Sequence, residues 1–278
     1  MEKIFVMSSS RSGTFFLSEL FKFNVKNCVS KHEPDPDMFG KPIYWNSIGN
    51  KDKIKKLFKK KCKKIEKYMI QKKDLYLESN HAFLKSFCDV AAEFYPDLRL
   101  IHLIRNPLAV AKSQLNRGIF VGKSCKIPGY YNINNYRVGL KKKVCRWALS
   151  GEEEIFKKFS FNLTNYQKLL VQWIEIENRA IDFLRKYSKY NDCYTIETTK
   201  DFYDKNKIQK MFDFFGLETK QKEIFIPLDK NVGDVQTVVT KEDADELKKL
   251  IEVIPKEYIK IFDKKPYLEL KWINCLIK

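Results

Sequence analysis

The sequence predicts an α/β protein of three layers, with a central and mostly parallel sheet between two layers of helices. Three observations predict it. Short apolar runs alternate with longer runs of helical period along most of the 278 residues, as in strand–helix–strand units. One run, LRLIHLI at 98–104, is apolar almost throughout, as a strand buried on both faces must be. Polar residues with chemical potential gather at the ends of four such runs, where open parallel sheets bind ligands. The length suits one large domain, with a basic helical insertion at about 40–74 and a lid-like excursion at about 117–162.

The elements follow in order. Residues 3–7 read as a strand, 8–14 as a loop and 15–23 as a helix. Residues 25–29 read as a second strand, and Pro34 and Pro36 enforce an extended exit from it. A loop and a Lys-rich helix lead to a third strand at 75–79, which ends at Asn80 and His81. A helix follows over 82–94. The buried run at 98–104 is closed by Arg105, Asn106 and Pro107, and Pro107 suits the first turn of a helix over 108–115. Thr164 with Gln167 forms a capping-box pattern, ahead of a helix with apolar residues at i, i+3, i+4 and i+7 from Tyr166 to Leu184. A strand at 193–197 and a helix at 208–215, stopped by Gly216, come next. Thr240 with Asp243 opens a last long helix to about 254, ended by Pro255.

Charge and cysteine content narrow the function classes. The net charge is +18, and residues 51–73 carry more than half of it, with twelve Lys against Asp52 and Glu66. Apolar residues at Ile54, Leu57, Phe58, Cys62, Ile65, Tyr68 and Met69 keep helical spacing, so the segment is a surface helix with a solvated Lys face. It also admits a weak contact with an anionic membrane. Lysine is a point charge that reads no base sequence, so specific nucleic-acid recognition is not expected. The seven Cys include no C-x-x-C pair, so neither a disulfide framework nor a metal site is expected; buried thiols in a reducing, cytoplasmic setting are. No apolar stretch reaches the length of a membrane span.

The chemistry concentrates first in MSSSRSGTFF, residues 7–16. A loop between a strand and a helix N-terminus offers free N–H groups and a partial positive charge. Ser12, Gly13 and Thr14 are small enough to let a phosphate approach. A Walker A loop would place Lys where Gly13 stands, so the ligand expected here has no γ-phosphate. Arg11 is available to a transferring group instead. In IHLIRNPLAVAKSQLNR, Arg105 ends the buried strand and Ser113 follows eight residues later, a pair suited to clamp a second phosphate. His102, inside the strand, reads as a core histidine.

Together these segments resemble the sulfotransferases that use 3′-phosphoadenosine 5′-phosphosulfate (PAPS), particularly the carbohydrate and bacterial members. SSSRSGTFFLSELF is similar to that family's 5′-phosphosulfate loop, and LIHLIRNPLAVAKS to its 3′-phosphate motif. CYTIETTKDFYDKNKIQKMFDFFGL is similar to a later strand–helix segment. The resemblance implies a P-loop-nucleotide-hydrolase-like fold and sulfuryl transfer from PAPS to a hydroxyl or amine of a small-molecule or carbohydrate acceptor. It implies donor contacts at Arg11, Ser12, Gly13, Thr14, Phe15, Arg105 and Ser113, with Arg11 also stabilising the leaving oxygen. No metal is implied. A base must take the acceptor proton, and two residues compete. Glu33 in KHEPDP resembles the Glu at the second strand end, with His32 beside it to support or replace it. His81 resembles the His of a K-T-H segment, which here reads Ser79-Asn80-His81. The family's adenine-stacking Trp position is Phe16, and its basic C-terminal loop is matched only by Lys230.

Two other readings stand beside this one. A P-loop phosphotransferase would use Thr14 on Mg²⁺ but lacks the Walker lysine. A non-enzymatic module would use residues 51–73 on a membrane or polyanion.

Overall fold

The computed structural model describes residues 2–69, 74–125, 134–138, 142–198, 200–227 and 238–274. Five parallel strands form the central sheet: β1 (Glu2–Ser8), β2 (Cys28–His32), β3 (Leu75–Ser79), β4 (Arg99–Ile104) and, after a separate hairpin, β7 (Cys193–Glu197). Their order is β2-β3-β1-β4-β7. From β1 the chain goes to the edge strand β2, returns to β3 between the two, and then crosses to β4 on the other side of β1, so the switch point lies between β1 and β4. Ser8 and Leu103 are register partners there, and the loops leaving both strands open onto one crevice.

Alternation along the strands assigns the two faces. Phe5 and Met7 of β1, with Leu100 and Ile104 of β4, join one core. Ile4 and Val6, with Ile101 and Leu103, join the other. This period of two follows from the pleat. The second core is covered by α1 (Thr14–Asn24), through Phe16, Leu17, Leu20 and Phe21. The first is covered by α2 (Lys41–Ser47), α3 (Lys51–Met69), α4 (Cys88–Phe94), α5 (Pro107–Asn116) and the long α6 (Asn165–Lys186). Helix α7 (Lys205–Phe214) lies on the α1 side through Ile208, Met211 and Phe212. Helix α8 (Lys241–Val253) adds Leu247 and Leu250 to the α6 side.

Several expectations hold in detail. Helix α6 is opened by Thr164 and Gln167 as a complete capping box, and α8 by Thr240 and Asp243. Gly216 closes α7 with φ 64°, the left-handed conformation that glycine adopts without strain. His102 is fully buried and bonded through Nε2 to Glu177 Oε2 at 2.8 Å. The basic helix α3 buries Ile54, Phe58, Cys62 and Ile65 against the core. One of its lysines departs from the solvated face: Lys61 is 1% exposed and donates to Glu78 Oε1 at 2.8 Å and to the Pro34 carbonyl at 3.0 Å.

Other expectations are corrected. The second strand begins at Cys28 rather than Val25, because Val25 forms an isolated antiparallel bridge to Thr219. The helix expected over 82–94 is split: Phe83–Phe87 is a π-helix, and only Cys88–Phe94 is α-helical. The 117–162 excursion contains an antiparallel hairpin, β5 (Asn135–Val138) and β6 (Lys142–Cys145). Cys125 and Cys145 are joined by a disulfide across 20 residues, contrary to the expectation of thiols alone. Lys230, Cys275 and parts of the excursion lie outside the described residues. No helix among the described residues is long and apolar enough to cross a membrane.

Candidate active site

The loop after β1 is held open for a ligand by its neighbours. Ser9 and Ser12 hydroxyls pair at 2.8 Å, and Thr198 donates to the Ser12 carbonyl at 2.6 Å. Gly13 has φ 86°, and a Cβ there would lie 2.5 Å from the Phe202 ring and 3.2 Å from Thr198 Cγ2. No side chain fits, so a Walker lysine is sterically barred as well as absent. Helices α5, α6, α7 and α8 are each capped by a side chain, whereas α1 has no side-chain cap and no acid in its first turn. Its N–H groups therefore face the crevice with the positive end of the helix dipole. Ser10 Oγ, buried in the same loop, has no hydrogen-bond partner, as expected of a group awaiting a polar ligand.

The two anion motifs meet. Arg11 donates from Nε to Ser113 Oγ at 3.0 Å, and Arg105 donates to the Arg11 carbonyl at 2.5 Å. Arg11 has φ 64°, a left-handed conformation that costs about 1–2 kcal/mol for a non-glycine residue. Its pKa is pushed down to about 10, first by burial, then by the like charges of Arg117 and Arg105. Three guanidiniums thus converge at the switch point, a concentration of charge suited to a multiply anionic ligand. Arg117 was not singled out in the sequence; it lies just past α5, and only its spacing of one turn beyond Ser113 hints at a shared face.

The candidate bases also meet. Glu33 follows β2 with φ 46°, and its N–H is tied to the Ser79 carbonyl at 3.2 Å. Glu33 Oε1 lies 3.4 Å from His81 Nε2 and 3.6 Å from His32 Nε2. Burial pushes the Glu33 carboxyl up to about 7, with Asp37 adding to the rise and Lys85, Arg146 and Arg11 opposing it. Burial also holds both histidines below their ordinary value, His81 strongly so, with Lys85 adding to the effect there. The Phe15 ring stands edge-on to His32 at 5.4 Å, which places it between the loop and the base. Phe16 is 5% exposed and stacked on Phe202 at 4.5 Å, so its faces are already packed.

Three further groups were not legible in the sequence. Lys85 is fully buried and reaches His81 Nδ1 at 3.0 Å and the Trp147 carbonyl at 2.6 Å. Arg146 pairs with Asp37 beside Glu33. Lys61, through Pro34, anchors the turn that follows Glu33. The disulfide ties down Cys145, next to Arg146 and Trp147, through which the excursion meets Asp37 and Lys85.

No family model matches the chain, and no curated protein matches it. Among solved structures the chain is similar to the sulfotransferase domain from the curacin biosynthetic pathway, with 13% identity and a TM-score of 0.46, over 94% of this chain and 96% of that one. It is similar also to the sulfotransferase domain from the Synechococcus PCC 7002 olefin synthase, with 13% identity and a TM-score of 0.47, over 95% of this chain and 94% of that one.

Proposed function

We propose that the protein is a sulfotransferase that moves a sulfuryl group from PAPS to a hydroxyl or amine of an acceptor, a small molecule or carbohydrate. The observation that carries this reading is the Arg11–Ser113 bond. It joins a loop without a Walker lysine to helix α5, whose two ends are flanked by Arg105 and Arg117, and both add charge. A donor with two separate anionic ends, and no γ-phosphate, suits that arrangement.

In this reading the uncapped N-terminus of α1, with Ser10, Ser12, Gly13 and Thr14, holds the 5′ end. Arg105 and Ser113 hold the 3′-phosphate. The Tyr203 ring, 55% exposed and 6.0 Å from Phe16, serves as the adenine platform in place of Phe16. When bound, the donor supplies a sulfuryl group on a phosphate leaving group. Glu33 takes the proton of the acceptor hydroxyl, and Arg11 neutralises charge developing on the leaving oxygen. Because the Glu33 carboxyl titrates at about 7, its base form grows as pH rises through that value, and turnover rises with it.

Calorimetric titration with 3′,5′-bisphosphoadenosine, and separately with ATP·Mg²⁺, tests the proposal. Micromolar binding of the bisphosphate is expected, weakened by about 1–3 kcal/mol in Arg105→Ala, the usual loss for a hydrogen bond to a charged group. Preference for ATP·Mg²⁺, or no binding of the bisphosphate, would sink it.

A further inference from the structure

Glu33 sits between two histidines whose outer nitrogens are held in opposite ways. Lys85 is the first holder. Its Nζ has two near partners, the Trp147 carbonyl at 2.6 Å and His81 Nδ1 at 3.0 Å. Burial lowers the Lys85 pKa to about 7; below that it is an ammonium with donors and no acceptor, so His81 Nδ1 must offer a lone pair. The neutral imidazole then carries its proton on Nε2, the nitrogen 3.4 Å from Glu33 Oε1. The Ser79 carbonyl is the second holder. It lies 3.1 Å from His32 Nδ1 and can only accept. The Ser79 hydroxyl lies equally near, at 3.1 Å, and can donate or accept. A proton on Nδ1 satisfies both Ser79 oxygens, whereas a bare Nδ1 would face the carbonyl lone pairs, so the proton belongs on Nδ1 and Nε2 turns a lone pair toward Glu33 Oε1 at 3.6 Å.

We infer that Glu33 is flanked by two histidines of opposite tautomer, with Lys85 as the positioning residue that fixes the His81 proton on Nε2, the nitrogen facing Glu33. His81 then cannot accept a proton from the acceptor, because Nε2 already carries one and Nδ1 is covered by Lys85. Glu33 keeps its second oxygen for the acceptor hydroxyl. His32, with 23% of its side chain exposed, is the flank that can receive the proton from Glu33 and pass it outward. Charge is conserved along that path: the acceptor O–H breaks and Glu33 becomes neutral with the proton on its second oxygen, and the carboxyl must then turn and close the 3.6 Å gap to hand that proton to His32 Nε2 and regain its charge.

The local backbone supports a built arrangement. Lys85 sits at the centre of the π-helix Phe83–Phe87, a rare turn found mostly at functional sites. The Lys85 carbonyl is held by Asn46 at 3.0 Å and Arg179 at 3.3 Å. Besides His81, the charged groups that face Lys85 are Glu33, Arg179 and Glu153. Those that face Glu33 are Lys85, Asp37, Arg146 and Arg11.

The role in proton transfer rests on the reading of Glu33 as a base, whereas the tautomers do not. The chain has only three histidines, so ¹⁵N NMR of the histidine rings, assigned with His32→Gln and His102→Gln, reads each state directly in the full-length protein about one pH unit below the lowered Lys85 pKa of about 7. His81 should show a protonated Nε2 and an unprotonated Nδ1, and His32 the reverse. Lys85→Met should release His81 to a mixture and leave His32 unchanged. A protonated Nδ1 on His81 in the wild type, or the same tautomer on both histidines, overturns the inference, and neither depends on Lys85→Met folding. Should the tautomers be found while bisphosphoadenosine fails to bind, the functional reading falls and the arrangement stands.

Discussion

Replacing Glu33 by Gln should separate activity from stability. The wild-type carboxyl is raised from its ordinary 4.5 to about 7, chiefly by burial. The folded protein thus binds this proton more tightly than the unfolded chain. The associated stability is fully present below about pH 4.5 and is lost as pH rises through about 7. A shift of that size corresponds to about 3 kcal/mol when fully ionised. With 26% of the Glu33 side chain exposed, solvent screening brings the working figure to about 2 kcal/mol. Gln keeps the shape and never ionises. Thermal melts should therefore coincide below about pH 4, and near pH 8 the variant should melt higher by about 4–8 °C. Turnover should fall by about 10²–10⁴, the usual contribution of a positioned base. A gap in melting temperature that does not vary with pH, or a variant less stable near pH 8, would refute the claim that Glu33 is ionised against its burial.

Other outcomes follow from the same geometry. Lys85→Met should lower kcat with little change in KM, in step kinetics at saturating donor, because Lys85 faces the base and not the loop. Gly13→Ala should abolish bisphosphate binding, since the new methyl meets Phe202 at 2.5 Å and φ is 86°; Phe202→Ala in the same chain relieves the first fault and not the second, so calorimetry should find only partial recovery. Lys61→Met removes the counter-charge of Glu78, which is 0% exposed and keeps only its bonds from Tyr76 and Asn80; chemical denaturation should show a loss of about 3–5 kcal/mol, as when one partner of a buried pair is removed, with bisphosphate affinity unchanged in the folded fraction.

The legible parts of this chain are those set by periodicity and local capping. Alternation in β1 and β4, the helical stripe of α6, and the Thr164 and Thr240 caps are short-range patterns, and they lie where the sequence places them. The loop at Arg11 and the segment from Arg105 to Ser113 follow strand ends that the sequence marks, because a strand–loop–helix pattern is local too. The remainder depends on contacts between distant segments. Lys85 stands in HAFLKSFCDV, which carries an ordinary helical pattern, and only the arrival of Trp147 and His81 makes it a buried donor. Lys61 is one of many lysines in α3, and nothing local marks it as the one facing Glu78. Cys125 and Cys145 have no motif between them. The hairpin they fasten is made of strands of four residues each, rich in Lys and Asn, too short for alternation to register.

That fastening has a practical consequence for anyone preparing the protein. Arg146 and Trp147 directly follow Cys145, and they contact Asp37 and Lys85. Disulfides persist in oxidising surroundings and are lost where glutathione and thioredoxin keep thiols reduced. Two batches of identical sequence, one expressed in a reducing host and one in an oxidising one, would then differ in how firmly Arg146 and Trp147 are held beside Asp37 and Lys85. Routine dithiothreitol in a storage buffer becomes an experimental variable, and the redox history of a sample belongs beside its concentration when rates are compared.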